Sequence, residues 1–186
     1  MNKNLPNWLT VLRVLLIPVF IVVLMRGHAV AAAVLFAAAS LTDALDGYLA
    51  RKYDLISNFG KLMDPLADKL LVVSAFSCFT ELGLVPAWVL IVILAREFTI
   101  TGLRSVAASE GVVIAAGASG KLKTVFQMLA VLAILLMDLP IRVFGAPFAR
   151  FGVPLAMTVL VVAVLLTVYS GAEYVIKSRH LFFRAK

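Results

Sequence analysis

Four of the five aspartates between Asp43 and Asp68, with two glycines and an arginine, stand at fixed intervals: Asp43-x-x-Asp46-Gly47-x-x-Ala50-Arg51, then Gly60-x-x-x-Asp64-x-x-x-Asp68. Asp43, Asp46, Gly47 and Ala50 follow i, i+3, i+4, i+7, so a helix would place them on one stripe. Gly60, Asp64 and Asp68 follow i, i+4, i+8 and would do the same on a second helix. Carboxylates are hard oxygen ligands and select Mg²⁺, Mn²⁺ or Ca²⁺ over zinc or copper. Four negative charges exceed what one divalent ion needs; two ions sharing a carboxylate would balance them and suit the clamping of a diphosphate. Magnesium usually keeps waters and takes its remaining ligands from substrate phosphate. Arg51 could meet that phosphate through its planar fork. The chemistry expected is metal-assisted phosphoryl transfer. Gly47 and Gly60 each cost about 1 kcal/mol relative to alanine inside a helix. Close approach of a ligand or a neighbouring backbone would justify them, and easier helix packing is a second use for Gly47.

The elements that must hold these residues are membrane helices. The chain has 186 residues, 63% apolar and 15% charged, against about 25% charged in soluble domains. Apolar runs of bilayer-crossing length, about 20 residues, recur throughout, so the expected class is all-α: a polytopic membrane protein, one domain over residues 1–186. Six transmembrane helices are expected, at Trp8–Met25, Val30–Lys52, Asn58–Thr80, Pro86–Ser109, Gly120–Leu139 and Val153–Ser178. The breaks carry turn chemistry, as at Arg26-Gly27-His28, Leu82 to Pro86, Gly117 to Gly120, and Pro140 through Pro154. The first run lacks a small-residue cleavage site and reads as a membrane helix, not a removable signal peptide. Each carboxylate at hydrocarbon depth costs roughly 2.5–3.5 kcal/mol on insertion scales, so four together point to function.

Positive charge sets the expected orientation. A cytoplasmic N-terminus puts eleven lysines and arginines on the inner side and three (Arg26, Arg142, Arg150) on the outer, so both termini are expected in the cytoplasm. The net charge of +7 is then mainly a matter of orientation and of attraction to anionic membrane lipids, not of nucleic-acid binding. The second and third spans are joined by a short turn centred on Leu55. Asp46 and Asp64 each lie nine residues from that centre, and Asp43 and Asp68 lie twelve and thirteen. At about 1.5 Å per residue the two pairs reach similar depths on antiparallel neighbours, a single layer of carboxylates. Cys78, the only cysteine, is expected to be a buried hydrophobe, and His28 and His180 to be surface residues.

At these motifs the chain resembles the CDP-alcohol phosphatidyltransferase family. The family pattern D-x-x-D-G-x-x-A-R, a short spacer, then G-x-x-x-D-x-x-x-D is matched at every fixed position, with a spacer of eight. The resemblance implies a six-helix enzyme of the bacterial cytoplasmic membrane, with its active site facing the cytoplasm. Such enzymes move a phosphatidyl group from CDP-diacylglycerol to an alcohol and release CMP. It implies that Asp43 and Asp64 each touch both of two metal ions (Mg²⁺ or Mn²⁺), that Asp46 touches the first, and that Asp68 touches the second. Asp68 would also be the base that takes the acceptor proton. Gly47, Arg51, Ser57 and Asn7 would form the donor site, although an asparagine at a helix start also serves as a cap. A homodimer is implied as well.

The acceptor has to be read from the second half of the chain. The stretches LPNWLTVLRVLLIPVF, AREFTITGLRSVAASEG and SGKLKTVFQM resemble bacterial members of the family whose acceptor is sn-glycerol 3-phosphate. Independently, Arg96, Arg104, Lys121 and Lys123 lie in the expected cytoplasmic half of spans four and five. Buried basic groups in a membrane must be paired, and an anionic substrate phosphate would pair them. Lys121 and Lys123 also suit positive-inside anchoring, and Arg96 could pair with an acid such as Glu97 of a partner chain or another helix. Rival expectations are another acceptor (inositol phosphate, serine or phosphatidylglycerol) and a cation or proton transporter. The absence of an inverted repeat and the clustering of the carboxylates near one face weigh against the transporter.

Overall fold

A computed structural model describes residues 5–52, 58–109, 111, 117–137 and 149–182. Among them the chain is all-helical: α1 (Leu5–Met25), α2 (Ala29–Lys52), α3 (Asn58–Glu81), α4 (Ala87–Ser109), α5 (Ala118–Leu135) and α6 (Ala149–Phe182). The six elements coincide with the six apolar segments expected from hydropathy. They end where the turn residues do. Gly27 closes α1 at φ 81°, and its N–H donates to the Leu24 carbonyl at 2.9 Å while the His28 N–H reaches the Val23 carbonyl at 3.2 Å. Gly83 at φ 70° does the same for α3, with Leu84 N–H on the Phe79 carbonyl at 2.9 Å. Both are left-handed caps that return orphan carbonyls to partners, and glycine adopts them without a Cβ penalty.

The largest departure is at α6. Hydropathy and turn chemistry predict helix from Val153, with Pro154 still in the break; instead the helix begins at Ala149 and carries Pro154 inside it. Pro154 is the sixth residue of the helix, past the four N–H groups that have no intrahelical partner, so it forfeits one backbone bond. α5 ends at Leu135 rather than Leu139, and residues 138 and 139 lie outside the described set. α1 likewise keeps Pro18 in its middle, a placement that helices packed among other helices tolerate.

The core joins all six helices. Phe20 of α1 and Phe36 of α2 meet with ring centroids 5.9 Å apart, and Phe76 and Phe79 of α3 stack edge to face at 6.0 Å. Between them lie Ala32, Ala39, Ala75, Ala130, Ala156 and Ala163, all essentially inaccessible, small residues that let backbones approach. α1 packs along both α2 and α3, which touch each other over a shorter stretch, and α5 runs along α6. Cys78 is buried, as expected, and His28 is exposed. His180 has a side chain outside the described set.

The polarity is inverted relative to a water-soluble domain. Trp8, Leu15, Trp88, Ile91, Phe98 and Leu165 are exposed, Phe98 by 71%, whereas Arg13, Glu97, Lys123, Gln127, Thr167 and Ser170 are buried. Among the described residues, two helices are long and apolar enough to cross a membrane, through Ala118–Leu135 and Phe151–Arg179; α1 and α2 contribute shorter apolar stretches, Thr10–Met25 and Ala29–Thr42.

Candidate active site

The two aspartate motifs each fall within one uninterrupted helix. Asp43, Asp46, Gly47, Ala50 and Arg51 belong to α2, and Gly60, Asp64 and Asp68 belong to α3. Helical periodicity therefore applies to both, and each aspartate pair shares a face of its helix. The side chains of these residues lie outside the described set, as does that of Asn7 in α1; Ser57 and Leu55 lie outside it entirely. Among the described residues no three histidine, cysteine, aspartate or glutamate side chains group as a metal site.

Lys69, the residue after Asp68 in α3, opens a cluster that is described in full. Its ammonium donates to Thr101 Oγ1 of α4 at 2.6 Å and lies 3.9 Å from Glu97 Oε2. Glu97 sits in α4 with 12% of its side chain exposed. Its Oε1 accepts from Arg96 Nη1 at 3.0 Å and from Lys123 Nζ of α5, whose side chain is 4% exposed. One carboxylate thus gathers three cations from three helices. Paired charges in a low-dielectric interior are tolerated when their hydrogen bonds are made, but among the described residues one carboxylate faces three positive charges. The Arg96 Nε–H is buried and finds no acceptor among the described residues.

A cavity of about 360 Å³ opens beside the cluster, lined by Lys69, Arg96, Glu97, Arg104, Gly120, Lys121, Thr124 and Val125. Among the described residues four cations face one acid there, so its complement is an anion. Arg96, Arg104 and Gly120 also border a second cavity of about 180 Å³, which reaches Ser170, Tyr174, Lys177 and Ser178 of α6. Arg104 is exposed; its Nε donates to the Tyr174 hydroxyl at 3.2 Å, and its guanidinium stands 5.6 Å from the Tyr174 ring centroid. Cation–π contact of this kind orients a guanidinium without neutralising it.

Of the four basic residues singled out from sequence, Arg96, Arg104 and Lys121 share the large cavity, whereas Lys123 lines a smaller one of about 100 Å³ with Lys69, Glu97 and Gln127. Two residues apart on a helix, Lys121 and Lys123 are separated by about 200°. One faces the open cavity and the other is turned inward to Glu97. Arg96 pairs with Glu97 of its own chain. Lys69, Thr101 and Tyr174 are functional candidates that sequence reasoning does not reach. Lys69 carries a usable signal, since a lysine in an apolar helix requires a partner; Tyr174 carries none.

The family described as CDP-alcohol phosphatidyltransferase matches residues 3–169. The chain is 45% identical to a CDP-diacylglycerol–glycerol-3-phosphate 3-phosphatidyltransferase of Bacillus subtilis, over 94% of this chain and 95% of that protein. It is 40% identical to a probable phosphatidylglycerophosphate synthase of Mycobacterium tuberculosis, over 94% of this chain and 81% of that one. With a CDP-diacylglycerol–glycerol-3-phosphate 3-phosphatidyltransferase of Rickettsia prowazekii the identity is 39%, over 93% and 94%.

Proposed function

The chain belongs to the CDP-alcohol phosphatidyltransferase family, and from that premise we propose that it transfers the phosphatidyl group of CDP-diacylglycerol to sn-glycerol 3-phosphate, giving phosphatidylglycerophosphate and CMP. The observation that carries the acceptor is the cation excess of the large cavity, Lys69, Arg96, Arg104 and Lys121 against Glu97. A phosphomonoester would neutralise it. An uncharged or zwitterionic acceptor would bring no counter-charge to these cations.

Asp43, Asp46, Asp64 and Asp68 would hold the divalent cations, two of Mg²⁺ or Mn²⁺, because four carboxylates at helical spacing on α2 and α3 form an all-oxygen donor set suited to hard ions. Ions bound there would neutralise the diphosphate and draw electron density from phosphorus. Asn7, Gly47, Arg51 and Ser57 hold the nucleotide and its phosphates. Arg96, Arg104 and Lys121 hold the acceptor phosphate, and Lys123 supports them by anchoring Glu97. Asp68 takes the proton from the primary hydroxyl of glycerol 3-phosphate. That oxygen bonds to the phosphorus bearing diacylglycerol, the bond from this phosphorus to the CMP oxygen breaks, and CMP leaves with the electron pair. Positioning and electrostatics account for most of the acceleration in such transfers.

All six helices cross the bacterial cytoplasmic membrane as one domain, with both termini and the site at the cytoplasmic face, where a lipid-tailed donor meets a water-soluble acceptor. The working unit is a homodimer. Purified protein in liposomes containing CDP-diacylglycerol should release CMP only when both a divalent cation and glycerol 3-phosphate are supplied. Release with inositol phosphate but not with glycerol 3-phosphate would overturn the choice of acceptor.

A further inference from the structure

Arg96 threads a slot between two glycines on two other helices. A Cβ built on Gly171 of α6 would lie 3.1 Å from Arg96 Cγ, and one built on Gly120 of α5 would lie 3.3 Å from Arg96 Nη2. Both distances are tighter than ordinary van der Waals contact, so a side chain at either position would press Arg96 aside by a few tenths of an ångström. Neither glycine has a positive φ, so their backbones do not demand glycine. Gly171, in the interior of α6, even costs about 1 kcal/mol of helix propensity relative to alanine. Both leave room for Arg96.

Within the slot, Glu97 takes one end of the Arg96 guanidinium. Nη1 is held by Glu97 Oε1 at 3.0 Å. Nε–H and Nη2–H point the same way along the remaining long edge of the planar group, the fork that binds carboxylate or phosphate through two parallel bonds. The Nε–H is the buried donor that finds no acceptor among the described residues, and a buried donor is costly to leave unpaired.

We propose that Gly120 and Gly171 are positioning residues that aim the Nε/Nη2 edge of Arg96 at the phosphomonoester of the acceptor, so that these two glycines set acceptor affinity through Arg96. This rests on the proposed role of Arg96 as an acceptor ligand.

The test is steady-state kinetics in liposomes at saturating CDP-diacylglycerol. Arg96→Ala should raise KM for glycerol 3-phosphate by about 10- to 100-fold, the range of lost hydrogen bonds to a charged group. Gly171→Val should raise the same KM by about tenfold and Gly171→Ala by less, with kcat and the KM for CDP-diacylglycerol held within about twofold. Added to Arg96→Ala, Gly171→Val should change the acceptor KM no further, because both act through one side chain. An unchanged KM in Gly171→Val beside a raised KM in Arg96→Ala would overturn the slot while leaving the acceptor reading intact. An unchanged KM in Arg96→Ala would remove the acceptor role itself and the slot with it. If Gly171→Val lowers kcat and weakens the donor equally, or is as harmful without Arg96, it acts on the fold and the slot is wrong. Should Gly171→Val not yield folded protein, Gly120→Ala, which crowds Nη2 instead of the stem, must show the same acceptor-only defect or the proposal fails.

Discussion

Glu97 concentrates the chemistry of the second half of the chain in one side chain. It touches Arg96, Lys123 and Lys69, three cations that would otherwise repel one another in a medium that screens poorly. Glu97→Gln keeps the shape and removes the charge, and removing one partner of a buried ion pair typically costs about 3–5 kcal/mol. A clearly lowered melting temperature in detergent is expected; an unchanged one would mean that the cluster is solvated well enough to do without its anion. Asp68 is the counterpart in the first half. Asp68→Asn should reduce CMP release by at least about 10²-fold, the lower range for loss of a general base, while the fold and much of donor binding survive. Normal turnover in that variant would end its assignment as the base.

At the level of elements, α1 ties the two aspartate helices together. It packs along both α2 and α3, with Phe20 against Phe36 at the α1–α2 seam. Within a bilayer, transfer from water is not what drives this contact; close packing is. Phe36→Ala should therefore cost mainly the cavity, near the low end of the about 3–5 kcal/mol seen for buried phenylalanine, and should disturb the proposed metal site through α2. A drop in divalent-cation affinity alongside a lower melting temperature would show both effects, whereas a purely thermal effect would mean that α2 is held by its other contacts. α6 works differently. Its apolar stretch of 29 residues, Phe151–Arg179, is about 44 Å long at 1.5 Å per residue, longer than a hydrocarbon core of about 30 Å. On the proposed orientation the surplus carries Glu173, Tyr174 and Lys177 to the cytoplasmic headgroups beside Arg104.

For the whole molecule, the proposed topology and metal dependence can each be tested directly. With the buried Cys78 replaced by alanine, His28→Cys should react with a membrane-impermeant thiol reagent applied to the outside of intact cells, and Ser109→Cys should react only after the cytoplasmic side is opened. The reverse pattern would invert the molecule and put the site on the wrong face for its substrates. Chelation of divalent cations should abolish CMP release, and Mg²⁺ or Mn²⁺ should restore it. Activity that survives thorough chelation would leave the four aspartates without their proposed purpose.

Much of this protein is legible in its sequence. Hydrophobic run lengths mark six helices because apolar periodicity and turn residues are local properties of the chain. The aspartate motifs point to metal-assisted phosphoryl transfer because spacing along one helix determines what shares a face. The four basic residues of α4 and α5 stand out through the cost of burying charge. The start of α6 is less legible, because Pro154 reads as a break, yet a helix packed among other helices carries it inside. What only the tertiary structure decided was which basic groups face the cavity and what restrains them. Lys123 turns inward, Lys69 joins from α3, and Gly120 and Gly171 clear a path for Arg96. Those relations link residues far apart in the chain, and no local spacing records how distant helices pack.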